Sequence, residues 1–263
     1  MFGYPQINNQ TMFGDLYQCP FVNITLTETP IPIIPKMKIL LISDTHLGSE
    51  IDFNLALEKF ISELKNLVEV VKPTHIFHLG DLVDGTFTPT AGGFNLSTAL
   101  NKLNELAIPI YVIGGNHDRL YASQVNFSNT QYITLSQKYS LSLTIPPQSN
   151  SNKPTKIYFA HDLGNNYKAR YPASKPFVRW IKAGCRISKR DWLICGHTHE
   201  SFLVKDECFS CIGQFSPECN NSCYGIIEID KNVTYRTTCV KSSQFQENLA
   251  KQDPSYTFQN ISI

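Results

Sequence analysis

The chain has 263 residues, with Lys+Arg 23 against Asp+Glu 22 for a formal charge of +1, and 42% of it is hydrophobic. That length buries a full core and fits one large domain better than two. The charge balance argues against a nucleic-acid coat or a membrane-surface protein, and no run has the length of a transmembrane span.

Met1 to Gln18 lacks a basic start followed by an apolar block, so no secretory signal is expected, and the sequons Asn9-Gln10-Thr11 and Asn23-Ile24-Thr25 carry little weight. Eight cysteines in such a chain point to reduced thiols or a metal site rather than a disulfide scaffold, and to a cytoplasmic location. Residues 1–37 form a separate lead rich in Asn, Gln, Thr and Pro. Alternating prolines from Pro30 to Pro35 forbid a helix and favour an extended strap lying against the single domain of 38–263.

Lys38 to Ile42 is a continuous apolar strand ending in Ser43-Asp44-Thr45-His46. Leu57, Phe60, Ile61, Leu64, Leu67, Val68 and Val71 recur at helical spacing, and Pro73 closes that helix. His75 to Leu79 is a second strand, running into Gly80-Asp81-Leu82-Val83-Asp84. After a Gly/Thr/Pro loop, Leu96, Leu100, Leu103 and Leu106 mark another helix. A third strand, Ile110 to Ile113, then leads into Gly114-Gly115-Asn116-His117-Asp118. This alternation is that of βαβ units around a parallel sheet, an α/β fold.

Further on, short strands are expected at Tyr132 to Leu135, Leu141 to Ile145 and Lys156 to Ala160, the last ending in His161-Asp162. A helix follows Pro172, and the strand Trp192 to Cys195 ends in Gly196-His197-Thr198-His199. Gly225 to Ile229 and Thr234 to Val240 read as a closing β-pair. There is no internal repeat.

Five strands thus end in potential metal ligands: Asp44 and His46, Asp81, Asn116, His161, and His197 with His199. The carboxyl ends of strands are where ligands bind in open α/β sheets. Asp44-x-His46 and His197-x-His199 have the spacing that sends alternate side chains to one side of a nearly extended backbone. A mixed Asp/His/Asn set without thiolates suits Mn²⁺, Fe or Zn²⁺. Seven ligands exceed one open site and suffice for two metals that share a carboxylate. His75 and His78 lie within a strand and read as structural histidines.

As an ordered set, Asp44-x-His46, Gly80-Asp81-x-x-Asp84, Gly115-Asn116-His117-Asp118, His161 and Gly196-His197-Thr198-His199 resemble the five-block signature of the calcineurin-like metallophosphoesterases. The resemblance spans about Lys38 to Val240. It implies a four-layer α/β/β/α sandwich and two divalent transition-metal ions. One would be held by Asp44, His46, Asp81 and His199, the other by Asp81, Asn116, His161 and His197. It also implies His117 as the catalytic residue beside the ligand Asn, with Asp118 orienting its ring and Asp84 orienting a metal ligand. One departure is Asp162, where many members have Gly after the fourth-block histidine.

The reaction expected is hydrolysis of a phosphodiester, phosphomonoester or pyrophosphate by a metal-bridging hydroxide between ions roughly 3.5–4 Å apart. A basic segment at about 164–190 bears on substrate. Lys168, Arg170, Lys175, Arg179, Lys182, Arg186, Lys189 and Arg190 stand there with no acidic residue between Asp162 and Asp191. In position it resembles the cap of the UDP-2,3-diacylglucosamine hydrolases, which favours a small nucleotide-derived substrate; a solvated basic face is the plainer reading. Cys208-x2-Cys211-x7-Cys219-x3-Cys223 offers either a small structural zinc knuckle or free thiols and disulfides. A nuclease is the enzymatic alternative, disfavoured by the near-neutral charge. An inert protein-binding scaffold is the alternative of another class, disfavoured by the intact ligand set and His117. Nothing in the sequence fixes the oligomeric state.

Overall fold

The computed structural model describes residues 36–49, 51–84, 89–118, 130–136, 140–147, 154–161, 175–216, 221–230, 233–241 and 261–262. The N-terminal lead up to residue 35, Asp162, Lys168, Arg170 and Cys219 lie outside them.

The first strand, β1 (Met37–Ile42), is apolar on both faces because both are covered. Leu40 and Ile42 enter one core cluster, whereas Met37, Ile39 and Leu41 enter another. The helix α1 (Phe53–Val71) starts where the Asp52 carboxylate accepts the amides of Asn54 and Leu55. It ends at Lys72 in the left-handed conformation, before Pro73. Its buried face carries Ala56, Leu57, Phe60, Ile61, Leu64, Leu67 and Val71, each large side chain contributing about 1.5–3 kcal/mol. β2 (His75–His78), α2 (Pro89–Asn104) and β3 (Ile110–Ile113) complete the alternation. β4 (Ile133–Ser136) follows, and β1, β2, β3 and β4 are parallel.

A second sheet is built from β5 (Ser140–Ile145), β6 (Thr155–Ala160), β7 (Trp192–Cys195), β8 (Ser201–Val204) and β9 (Phe209–Ile212), in the order β5-β6-β7-β9-β8. The chain then returns to the first sheet through β10 (Phe215–Ser216), β11 (Asn221–Ile229), β12 (Val233–Lys241) and β13 (Ile261–Ser262), giving the order β13-β12-β11-β1-β2-β3-β4 with β10 beside β11. β11 joins β1 antiparallel, so the first sheet is mixed rather than purely parallel.

The period-2 alternation of the strands defines the layers. Leu41, Phe77 and Ile113 of the first sheet meet Ile157, Phe159, Trp192, Ile194 and Ile212 of the second. Leu40, Ile76 and Val112 turn outward to α1 and α2. Leu193, Cys195, Phe209 and Cys211 turn the other way, to Val178, Ile181, Cys185 and Ile187 in and just after α3 (Lys175–Gly184). The result is the four-layer α/β/β/α sandwich.

Of the basic segment expected as a cap, residues 175–190 are described. α3 forms the outer layer of the second sheet. Lys182 is 3% exposed, and its ammonium donates to the carbonyls of Lys189, Asp191 and Glu207 at 2.9, 2.7 and 2.8 Å. Arg179 pairs with Glu207 at 2.7 Å. Two members of the supposed basic face therefore secure α3 to its own sheet, because a buried ammonium needs fixed acceptors.

The described cysteines follow the second of the two readings, free thiols and disulfides. Cys223 and Cys239 are register partners on β11 and β12 and are joined by a disulfide. Cys208 and Cys211 are free thiols, and Cys223, committed to Cys239, does not complete a zinc knuckle with them. β9 and β10 lie within the stretch from Cys208 to Cys223.

Candidate metal centre

The β1 and β2 ladder continues past both strands. Asp44 donates its amide to Gly80 O, His46 to Asp81 O and Leu47 to Leu82 O, at 2.9, 3.0 and 3.1 Å. Two ligand-bearing loops are thereby held side by side. The backbone is not extended there, contrary to the reading of the x-spaced pairs. Asp44, His46, Asp81, His197 and His199 all have positive φ, between 48° and 71°. Side chains are turned toward the cleft by left-handed residues, a conformation that costs about 1 kcal/mol or more for each non-glycine residue. The cluster of such residues is itself a mark of a functional site.

Close approach demands glycine at two points. A Cβ on Gly115 would lie 2.0 Å from Asp81 Oδ1, and one on Gly196 would lie 2.0 Å from Ser43 Oγ. The glycines in the third and fifth blocks thus let the β3 and β7 loops close onto the β1 and β2 loops.

All seven proposed ligands converge. Asp44, His46 and His199 form one group whose ligand atoms lie within 4.8 Å of one another, and Asp81, His161 and His197 form another. Asp81 Oδ2 is 3.1 Å from His161 Nε2 and 3.6 Å from His46 Nε2, so this oxygen faces both groups. Asn116 Oδ1 is 3.0 Å from both His161 Nε2 and His197 Nδ1. His161 donates from Nδ1 to the carbonyl of Leu79 at 2.9 Å. That bond fixes its tautomer and leaves the Nε2 lone pair aimed into the group. His46 Nε2 and His199 Nε2 approach to 3.1 Å.

These donors fit divalent cations. Nitrogen and oxygen lone pairs face one another at contact distance around buried carboxylates, which only protons or cations reconcile. Burial pushes the Asp44 carboxyl up to about 7, with Asp81 adding to the rise and His161 opposing it. Burial lowers His46 to about 4. At Asp81 burial acts upward, but His161 and His46 outweigh it and hold this carboxyl well below the usual range. A cation would favour both carboxylates in their charged form.

His117 lies at the open side. Its ring meets His46 edge-on with centroids 4.7 Å apart, its Nε2 is 4.0 Å from Asp81 Oδ2, and its amide donates to Asp81 Oδ1 at 2.9 Å. Its Nδ1 faces Asp84 Oδ1 at 3.1 Å. Asp84, rather than the Asp118 expected from the sequence, thus faces the His117 ring. Asp118 accepts the amides of Leu82, Val83 and Gly115 and clamps the β2 loop to the β3 loop. Burial raises its carboxyl to about 6, with Asp81 adding and the three amides opposing.

His75 bonds Thr74 and stacks on Tyr111, away from the ligands. His78, by contrast, touches both ligand loops, a contact the strand pattern did not signal.

The calcineurin-like phosphoesterase family matches residues 37–202, more than half of the chain. Among solved structures, the chain is similar to a conserved protein from Streptococcus pneumoniae TIGR4 named as a predicted phosphoesterase, with 17% identity, 88% of this chain and 99% of that one covered, and a TM-score of 0.38. It is similar to a dimetal phosphatase from Danio rerio, with 10% identity, coverages of 80% and 97%, and a TM-score of 0.46. It is likewise similar to the phosphoesterase YfcE from E. coli, with 16% identity, coverages of 86% and 100%, and a TM-score of 0.45. The chain belongs to the calcineurin-like phosphoesterases and is a metal-dependent phosphoester hydrolase.

Proposed function

We propose that the chain hydrolyses a phosphodiester, phosphomonoester or pyrophosphate bond in a small phosphorylated molecule at a two-metal centre. One metal would be held by Asp44, His46, Asp81 and His199, the other by Asp81, Asn116, His161 and His197. The observation that carries this reading is the single Asp81 oxygen facing both histidine groups, 3.1 Å from His161 and 3.6 Å from His46. Mn²⁺, Fe and Zn²⁺ all suit the donor set. When bound, the metals supply Lewis acidity toward phosphoryl oxygens and an activated water.

The remaining work falls to the chain. Asp84 accepts from His117 Nδ1, which keeps the imidazole aimed with Nε2 toward the cleft. From there Nε2 hydrogen-bonds a phosphoryl oxygen or gives a proton to the leaving oxygen. The His199 side chain, 47% exposed, marks the side from which substrate enters.

A nucleotide-derived substrate rested on the basic segment. With Lys182 and Arg179 committed to the α3 layer, that preference rests on the other six basic residues of the segment. The formal charge of +1 still disfavours a nucleic-acid substrate. No helix among the described residues is long and apolar enough to cross a membrane. The thiols of Cys185, Cys195, Cys208 and Cys211 support a cytoplasmic location, and the Cys223–Cys239 bond is the exception among the described cysteines.

The test is hydrolysis of bis-(p-nitrophenyl) phosphate and p-nitrophenyl phosphate by the metal-free chain titrated with Mn²⁺. Activity that appears with metal and is largely lost in His117→Ala, with metal retained, supports the reading. No turnover at any Mn²⁺ concentration would favour the scaffold.

A further inference from the structure

His78 sits in the core position of β2 just before the second ligand loop and is fully buried. An apolar side chain would fill such a position, as Ile76 does two residues earlier on the same face. Instead both ring nitrogens are used, one on each ligand loop. The Gly80 amide donates to His78 Nδ1 at 3.3 Å, which places the ring proton on Nε2. That Nε2–H donates to Thr45 Oγ1 at 2.8 Å. Thr45 is fully buried between Asp44 and His46, and Gly80 immediately precedes Asp81. The ring therefore spans the β1 and β2 loops from behind, on the side away from the cleft.

Two further features make this bridge specific. Gly80 is held twice, its amide on His78 and its carbonyl on the Asp44 amide at 2.9 Å. The residues flanking Thr45, as well as Asp81, adopt the left-handed conformation, so the loops need fixed partners to stay in a disfavoured shape. Burial keeps the imidazole neutral, lowering it to about 3, so the ring retains one donor and one acceptor across the working pH range.

We propose that His78 and Thr45 form a buried positioning pair that sets the spacing of the Asp44–His46 loop against Asp81, and that their hydrogen bond raises divalent-metal affinity without touching metal or substrate. This rests on the two-metal reading above. Partners of this kind, one shell behind the ligands, change metal affinity about 10–100-fold when removed.

The experiment is Mn²⁺ titration calorimetry on the full chain stripped with chelator, alongside thermal unfolding of the metal-free protein. Thr45→Val keeps shape and loses the hydroxyl; Thr45→Ser restores it. His78→Asn keeps an acceptor for Gly80 and loses the reach to Thr45. Expected are Mn²⁺ affinities about tenfold weaker for Thr45→Val and His78→Asn, near wild type for Thr45→Ser, and no further loss in the double variant.

Wild-type affinity in Thr45→Val overturns the proposal, whatever happens to the melting temperature. Equal losses in Thr45→Val and Thr45→Ser also overturn it, because the hydroxyl would then not be the cause. Should Thr45→Val fail to fold, Thr45→Ser against His78→Asn makes the same comparison, and equal affinities sink the idea. A wild-type chain that binds no Mn²⁺, Zn²⁺ or Fe²⁺ would instead refute the metal-centre reading itself.

Discussion

Asp84 Oδ1 lies 3.1 Å from His117 Nδ1, while Asp118, the carboxylate next to that histidine in sequence, faces two backbone amides of the β2 loop and one of its own β3 loop. Two aspartates that look interchangeable around one histidine thus have different work. Asp84→Asn is expected to lower kcat by about 10²-fold, the usual scale of a disturbed acid–base group, with little change in KM or metal content. Asp118→Asn should instead lower stability by about 1–3 kcal/mol, because an amide cannot accept three N–H groups as a carboxylate does. Steady-state kinetics and urea melts on both variants check the division; the reverse pattern would restore Asp118 as the orienting residue.

Asp81 faces both histidine groups, whereas His46 belongs to the groups on the first side. Asp81→Asn is expected to reduce bound metal at both sites, and His46→Ala mainly at one. Elemental analysis of the purified variants reads this directly. Two equivalents remaining in Asp81→Asn would show that it does not bridge.

Gly115 has no room for a methyl group, since the added carbon would sit 2.0 Å from Asp81 Oδ1. Gly115→Ala should displace Asp81 or the β3 loop, costing about 1–3 kcal/mol of stability. Loss of metal should accompany it. A fully loaded, wild-type-like Gly115→Ala protein would mean that the loops are farther apart than described.

Lys182 offers a sharp distinction between a structural lysine and a substrate-binding one. Lys182→Met leaves three carbonyls, two of them buried, without this donor and is expected to destabilise by roughly 2–3 kcal/mol. KM at a permissive temperature should be unchanged. Arg179→Ala, which removes a pair whose arginine is 60% exposed, should destabilise less than Lys182→Met. A raised KM with normal stability in Lys182→Met would return Lys182 to the substrate.

His78 gives the metal-free chain a pH dependence. Its folded form is lowered from 6.5 to about 3, with burial the main cause, His161 and His46 adding to it, and Asp81 opposing. A lowered histidine contributes stability above its unfolded value, and that contribution is lost as pH falls from about 6.5 toward 3. The loss at pH 5 is about 2 kcal/mol. Urea melts in chelator at pH 7.5 and pH 5 should therefore show a shallower pH effect in His78→Asn than in wild type. Equal pH effects would count against the buried neutral ring.

Much of the fold follows from local pattern. Leu57, Phe60, Ile61, Leu64, Leu67 and Val71 recur at 3.6-residue spacing, and all six are buried on α1. The runs at β1, β2, β3, β6 and β7 are short and apolar because they are covered on both faces. β8 and β9 were not legible, since Ser201–Val204 and Phe209–Ile212 interleave serine or cysteine with the apolar residues. The Cys223–Cys239 bond was not legible either, because cysteine spacing says nothing about which strands become neighbours.

The sequence by itself determined which residues could meet. Asp44, His46, Asp81, Asn116, His161, His197 and His199 each follow a strand, and parallel strands carry their C-terminal ends to one edge. Only the tertiary structure decided how they meet. The left-handed turns at five of the seven, the Asp81 oxygen shared between two groups and the choice of Asp84 over Asp118 for His117 all depend on loops from different strands packing together. The burial of Lys182 depends likewise on α3 settling on its own sheet. Composition and spacing are properties of neighbours along the chain, whereas a hydrogen bond's partner is settled by which loops come within about 3 Å in space.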